Sequence, residues 1–280
     1  MCLALFAFHT HPRFPVVIAA NRDEFYERPT AAAAFWTDAP DVLAGRDLRE
    51  GGTWMGVTRG GRFAAVTNYR DPGEPRETRR SRGHLVRRYL EGGDTPLGYL
   101  GAVSRDGGAY HGFNLVVGDL REMAYYSNRE GGARALGPAV CGLSNHLLDT
   151  PWPKVERSKA VLFDMLSHDK PGLIEGLFRM LADGYRPEDA DLPDTGVGLE
   201  WERLLSSAFI KSPSYGTRSS TVFLVDEQGH AQFIERIEVV RLARQNVLKA
   251  LDGGRILAGP AIRNAQLVER GHVAEQHGLL

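Results

Sequence analysis

The chain opens on two apolar runs, residues 2–8 and 16–20, separated by His11-Pro12-Arg13-Phe14-Pro15. The second run is rich in β-branched residues, which favour strands, and the proline-bearing break between them continues neither run. A hairpin is therefore expected at the start of the fold, with Cys2 at its extreme end. A second hairpin is predicted over residues 51–58 and 62–68, where Arg59-Gly60-Gly61 supplies the glycines a tight turn needs. Further strands are predicted at 113–117, 123–127, 140–143, 221–225 and 231–237.

Helical spacing appears between these blocks. Residues 82–90 place Leu85, Val86, Tyr89 and Leu90 on one side, and 154–166 carry Val155, Val161, Leu162, Met165 and Leu166. A helix over 171–181 follows, with Leu173, Ile174, Leu177, Phe178 and Leu181, and a last one is predicted at 239–251. Residues 183–197 are rich in Asp, Pro and Gly and read as a surface loop. No repeat or linker interrupts the series. Strands, then helices, then strands again predict one α+β domain over residues 1–280, with a helical tail from about 239.

Charge and cysteine usage exclude several functions. Lys plus Arg (34) against Asp plus Glu (35) gives a formal charge of −1, whereas a nucleic-acid-binding domain is strongly basic. The two cysteines, Cys2 and Cys141, are too few for a disulfide framework or a four-cysteine zinc site. His9-x-His11 has no third ligand at a fixed spacing, so no metal site is assigned. Neither G-x-G-x-x-G nor a P-loop occurs. No apolar stretch approaches the roughly 18 residues needed to span a bilayer, and the N-terminus lacks a basic n-region, so a cytoplasmic location is expected.

Several residues could carry chemistry. A small residue after Met1 normally permits removal of the methionine, which would leave Cys2 with a free α-amine. An amine with a pKa of about 7.7–8.0 can act as base for its own thiol of about 8.5. The competing reading is an inert cysteine starting a core strand. Asn21-Arg22-Asp23-Glu24 closes the second apolar run, and the hairpin would bring it close to residue 2. A carboxylate there could hold the ammonium, and an arginine could lower the thiol pKa. Asn68, Asn145 and Arg218 likewise sit at strand ends, where an amide could donate to an oxyanion or simply close a turn. Arg76, Arg79, Arg80, Arg82, Arg87 and Arg88 form a basic patch, either a solvated face or a clamp for a carboxylate or phosphate.

Taken in order, several motifs resemble the NRDE family, the transport and Golgi organisation proteins. They are Met1-Cys2, Ala20-Asn21-Arg22-Asp23-Glu24, Gly45-Arg46-Asp47, Gly51-Gly52-Thr53-Trp54 and Thr67-Asn68-Tyr69-Arg70. Gly112-Phe113-Asn114-Leu115, Leu143-Ser144-Asn145, Asp149-Thr150-Pro151-Trp152-Pro153-Lys154 and Gly216-Thr217-Arg218-Ser219-Ser220-Thr221 continue the match to about residue 225. That family is in turn similar to N-terminal-nucleophile hydrolases of the penicillin V acylase and bile salt hydrolase type. The resemblance implies a four-layer αββα sandwich and a site for acyl amides or thioesters. It puts Cys2 at the nucleophile and Asp23 at the amine's partner. Asn68 and Asn145 match the oxyanion segments, and Arg22 or Arg218 matches the nearby arginine. The arginine those enzymes carry just before the Asn is Ala20 here, so the strand pleat decides whether Arg22 can take its place. Asn21, Glu24, Trp54, Tyr69, Arg79, Arg80 and Arg82 are the expected ligand-contacting residues. The family is also associated with haem trafficking and acyl-CoA or lipid handling, so the alternative is a non-enzymatic carrier of a hydrophobic or acyl ligand. No cofactor is required, with haem possible only as a bound ligand.

Overall fold

The computed structural model describes residues 2–75, 79–168, 172–238 and 264–267. The N-terminal part contains β1 (Cys2–Phe8), β2 (Val16–Phe25), β3 (Thr30–Trp36), β4 (Ala39–Asp47), β5 (Met55–Thr58) and β6 (Phe63–Asn68). Two helices, α1 (Gly83–Glu91) and α2 (Pro96–Arg105), precede β7 (Phe113–Gly118), β8 (Met123–Ser127), β9 (Arg134–Leu136) and β10 (Ala139–Leu143). Then come α3 (Pro153–Ser167), α4 (Leu173–Leu181), α5 (Leu199–Leu205), β11 (Tyr215–Val225), β12 (His230–Ile237) and β13 (Asn264–Leu267). One sheet has the order β10-β1-β2-β11-β12-β13 and the other runs β3 to β9 in sequence order. Every ladder is antiparallel except β12–β13.

Side-chain alternation builds the layers. Ala4, Phe6 and Phe8 of β1 enter the core between the sheets, together with Phe63 and Ala65 of β6. The intervening Leu3, Leu5 and Ala7 pack instead against Val155 and Leu162 of α3 and Leu177 of α4. On the other sheet, Ala64 and Val66 lie against Leu85, Val86 and Tyr89 of α1 and Leu100 of α2. The order is helices, sheet, sheet, helices. Because β1 and β2 are covered on both faces, they are apolar in unbroken runs rather than in alternation.

Some elements differ from expectation. β2 continues five residues past Ala20, so Asn21–Phe25 form strand rather than strand end. The strand expected from residue 51 starts only at Met55, and β11 begins earlier than residue 221, at Tyr215. β3 reads Thr-Ala-Ala-Ala-Ala-Phe-Trp and gives almost no strand signal, because alanine has weak strand propensity. α2 carries Gly98 and Gly101, which dilute its helical pattern. In α3, Val161 is 40% exposed while Lys154 is only 5% exposed, so the buried face is rotated from the expected one. The tail helix expected at 239–251 falls outside the described residues, as do Arg76 and Pro171. Among the described residues, no helix is long and apolar enough to cross a membrane.

Candidate functional site

Cys2 and Arg22 are register partners across β1 and β2. Directly opposed residues share a face, so both side chains leave the sheet on the side of Ala4 and Phe6, toward the other sheet. The pleat thus answers the question raised by Ala20: Arg22 lies on the cysteine's side. Ser144, just after β10, donates its hydroxyl to the Cys2 carbonyl at 3.0 Å and fixes the start of β1.

Asp23 belongs to the opposite face of β2 and is 2% exposed. Its Oδ1 accepts a 2.7 Å hydrogen bond from the Thr217 hydroxyl of β11. Burial raises its pKa, opposed by positive charges that include Lys154 and Arg22. Lys154 enters the same region from the first turn of α3 and donates to the Leu205 carbonyl at 2.8 Å. Burial pushes its ammonium down to about 8, while Asp23 favours the charged form. Behind it, Arg70 and Glu202 form a buried ion pair at 2.5 Å. Burial also pushes the Cys2 thiol up, with the Asp23 backbone N–H and the Arg22 guanidinium acting the other way.

The pairing of β2 with β11 slips between Thr217 and Ser219, leaving Arg218 as the extra residue of a β-bulge. Such bulges re-aim side chains beside active sites. Here the Arg218 guanidinium donates to the carbonyls of Phe25, Tyr26 and Arg28 and to the Thr30 hydroxyl. Its donors pin the turn between β2 and β3.

A cavity of about 380 Å³ opens where these strand ends meet, with Cys2, Arg22, Asp23, Asn68 and Arg218 in its wall. Glu24, Trp54, Arg79, Arg80 and Arg82 also line it, which puts part of the sequence-level basic patch at the cavity. Arg87 and Arg88 are elsewhere, the first paired with Asp38 and Glu91, the second donating to the Tyr110 hydroxyl. Arg82 is delivered by a close approach of two glycines. A Cβ on Gly52 would stand 2.6 Å from the Gly83 carbonyl carbon, so glycine at both positions lets the head of α1 touch the loop before β5. Asn68 presents a side-chain amide with no hydrogen bond among the described residues and is therefore an open donor in the cavity wall.

Three expected site residues are placed otherwise. Asn21 is fully buried and faces the helices, donating to the Leu181 and Ala208 carbonyls and accepting from Ser220. It ties β2 to α4 and β11 and is not at the cavity. Asn145 lies behind the wall, where its amide donates to the Asn68 carbonyl at 2.9 Å. Tyr69 turns its hydroxyl to His146 at 2.8 Å. Asn21 lies on the face of β2 opposite to Arg22, so its side chain points away from Cys2. Lys154 and Thr217 were not singled out from the sequence. A lysine on the apolar side of the α3 pattern was the available signal.

A model of the Transport and Golgi organisation 2 family matches residues 1–238. The chain belongs to that family. Curated members include the Transport and Golgi organization protein 2 homolog of Bos taurus, 39% identical over 84% of this chain and 92% of that protein. The Homo sapiens homolog is 38% identical with the same coverage, and the Drosophila melanogaster protein is 29% identical over 84% and 91%. Among solved structures, a C2A mutant of the conjugated bile acid hydrolase from Clostridium perfringens is similar at TM-score 0.47. It is 9% identical, covering 98% of this chain and 100% of that one. A Caenorhabditis elegans N-acylethanolamine-hydrolyzing acid amidase ortholog is similar at 0.45 and 12% identity, covering 80% and 92%. Those structural similarities are loose, and the chemistry of the site rests on this chain's own geometry.

Proposed function

We propose that the cavity is the active site of a cysteine-dependent N-terminal-nucleophile hydrolase of acyl amides or thioesters. The observation that carries this reading is the end of the β1–β2 ladder. Cys2 opens on the cavity, and the buried Asp23 follows its register partner Arg22, lines the same cavity and is within electrostatic reach of the Cys2 thiol. Burying a carboxylate is costly, and an α-ammonium exposed by removal of Met1 would add to the Thr217 hydrogen bond and the Lys154 charge that already favour ionised Asp23.

In the proposed reaction the Cys2 amine takes the thiol proton and the sulfur bonds to the substrate carbonyl carbon. The open Asn68 amide donates to the developing oxyanion. Collapse breaks the bond to the leaving amine or thiol, which receives the proton from the ammonium. Water, deprotonated by the same amine, then cleaves the acyl-thioester and regenerates Cys2. Asp23 orients the amine, with Thr217 hydrogen-bonded to it and the Lys154 charge favouring its ionised form. A panel of acyl amides and acyl thioesters tests the reading: turnover should require Met1 removal and vanish in a folded Cys2→Ala variant. Turnover that survives Cys2→Ala would refute it.

Carriage without turnover is the second reading, and the arginines in the cavity wall favour it to the extent that haem propionates and acyl-CoA phosphates are anions. A Soret band on haem addition, with no hydrolysis of any acyl compound, would support carriage.

A further inference from the structure

Among the described residues, seven arginines line the cavity: Arg22, Arg28, Arg46, Arg79, Arg80, Arg82 and Arg218. Their hydrogen bonds divide them sharply. Arg28 is paired with Asp47 at 2.5 Å and Arg46 with Asp38 at 2.6 Å. Arg79 donates to the Gly108 and Tyr110 carbonyls and stands 3.7 Å from Glu74. Arg80 is bonded to Asp106, and Arg218 pins the turn after β2. Arg22 and Arg82 remain. Among the described residues, Arg22 makes no hydrogen bond and meets only Glu24, at 4.0 Å. Arg82 donates once, to the Gly112 carbonyl at 2.9 Å, and is within electrostatic reach of the Cys2 sulfur.

The charge of Glu24 reaches both of them, but it also stands 4.0 Å from Arg28. Glu74 reaches Arg82 more strongly, while itself pairing with Arg129 at 2.8 Å and accepting from the Gly112 N–H. Among the described residues neither Arg22 nor Arg82 has a carboxylate within hydrogen-bonding distance, and the acids nearest to them are engaged by other cations. Guanidinium donors left open beside a thiol match the fork geometry of a carboxylate or phosphate.

We infer that Arg22 and Arg82 form an anion clamp at Cys2, and that the acyl compound processed there carries a carboxylate or phosphate close to its scissile carbonyl. The substrate part of this inference rests on the hydrolase reading; the clamp itself does not. It narrows the substrates from hydrophobic acyl compounds to anionic ones.

Thiol alkylation separates the two ideas. Iodoacetate and iodoacetamide have the same size and the same reaction: the thiolate sulfur bonds to the CH₂ carbon and iodide leaves with the C–I electron pair. Only iodoacetate carries a carboxylate next to the reacting carbon. Both reagents are applied to the full chain at one pH, so the thiolate fraction cancels, and Cys141 serves as an internal reference by peptide mapping. The iodoacetate-to-iodoacetamide rate ratio should be about tenfold or more higher at Cys2 than at Cys141, given the strength of charged hydrogen bonds. Arg22→Met with Arg82→Met should abolish the difference, and the two Lys variants, which keep the charge, should retain part of it. Inorganic phosphate and acetate at constant ionic strength should protect Cys2, and the better protector identifies the class of anion. Equal ratios at the two cysteines in the folded wild type would overturn the clamp, as would protection that follows ionic strength alone. Failure of acyl turnover would leave this ratio unchanged, so the two readings fail separately.

Discussion

Asn145 donates its side-chain amide to the main-chain carbonyl of Asn68, so one asparagine supports the other from behind the cavity wall. The pair looks equivalent in sequence, an amide at the end of an apolar strand in each case. In the fold, one amide is open to the cavity and the other is a structural tie. Asn68→Ala should therefore lower kcat by roughly 100- to 1000-fold with little change in melting temperature, the usual effect of deleting an oxyanion donor. Asn145→Ala should instead lower stability by about 1–3 kcal/mol, because it removes a buried hydrogen bond and leaves a carbonyl unpaired. Steady-state kinetics and thermal unfolding on both variants check the contrast.

Much of the fold was legible because its signals are local. The hairpin of β1 and β2 is written as two apolar runs around prolines, and α1 buries the four residues its spacing named. What remained hidden depends on partners far along the chain. β3 is a strand of alanines held by its ladder with β4 rather than by propensity. The length of β2 is set by pairing with β11, which supplies Ser220 to the Asn21 amide oxygen and Thr217 to Asp23 Oδ1. At the site, Cys2, Asp23, Asn68 and Arg218 gather at one cavity. Which of them has open donors follows from hydrogen bonds that no spacing encodes.

Asn21 illustrates the consequence for mutagenesis. Its side chain joins β2 to the Leu181 and Ala208 carbonyls and to Ser220. Asn21→Ala should destabilise the protein by about 2–4 kcal/mol, since two buried carbonyls lose their donor. Ligand affinity of the remaining folded fraction should stay within about twofold of wild type. Denaturant unfolding with titration calorimetry tests this, and a loss of affinity with unchanged stability would return Asn21 to the site.

Lys154 gives the protein a specific pH dependence. Its charge favours ionised Asp23, so Lys154→Met should raise the Asp23 pKa further and shift the acid limb of the activity profile to higher pH. The stability effect has its own sign. The folded pKa of about 8 lies below the unfolded value of about 10.4, so the unfolded state binds more protons between them. Relative to Lys154→Met, wild type should gain about 2–3 kcal/mol of stability as pH rises through that window. Urea denaturation at several pH values reads the slope, and a flat difference would contradict it.

The Arg70–Glu202 pair closes the region behind Asp23, with Arg70 also stacked 4.6 Å from the Trp152 ring. Glu202→Gln removes the only acid that faces this guanidinium at contact distance among the described residues. An uncompensated buried charge should cost about 3–5 kcal/mol, read as a fall in the denaturation midpoint at unchanged m-value.

The most direct measurement is covalent. Protein lacking Met1 is mixed with p-nitrophenyl acetate, the nitrophenolate burst is followed, and the acetylated peptide is mapped by mass. The expected result is a burst of about one equivalent with the acetyl group on the peptide that begins at Cys2, slowed in Asp23→Asn and absent in Cys2→Ala or when Met1 is retained. Acetylation distributed over lysines, or a burst of equal size in the Cys2→Ala protein, would contradict Cys2 as the nucleophile.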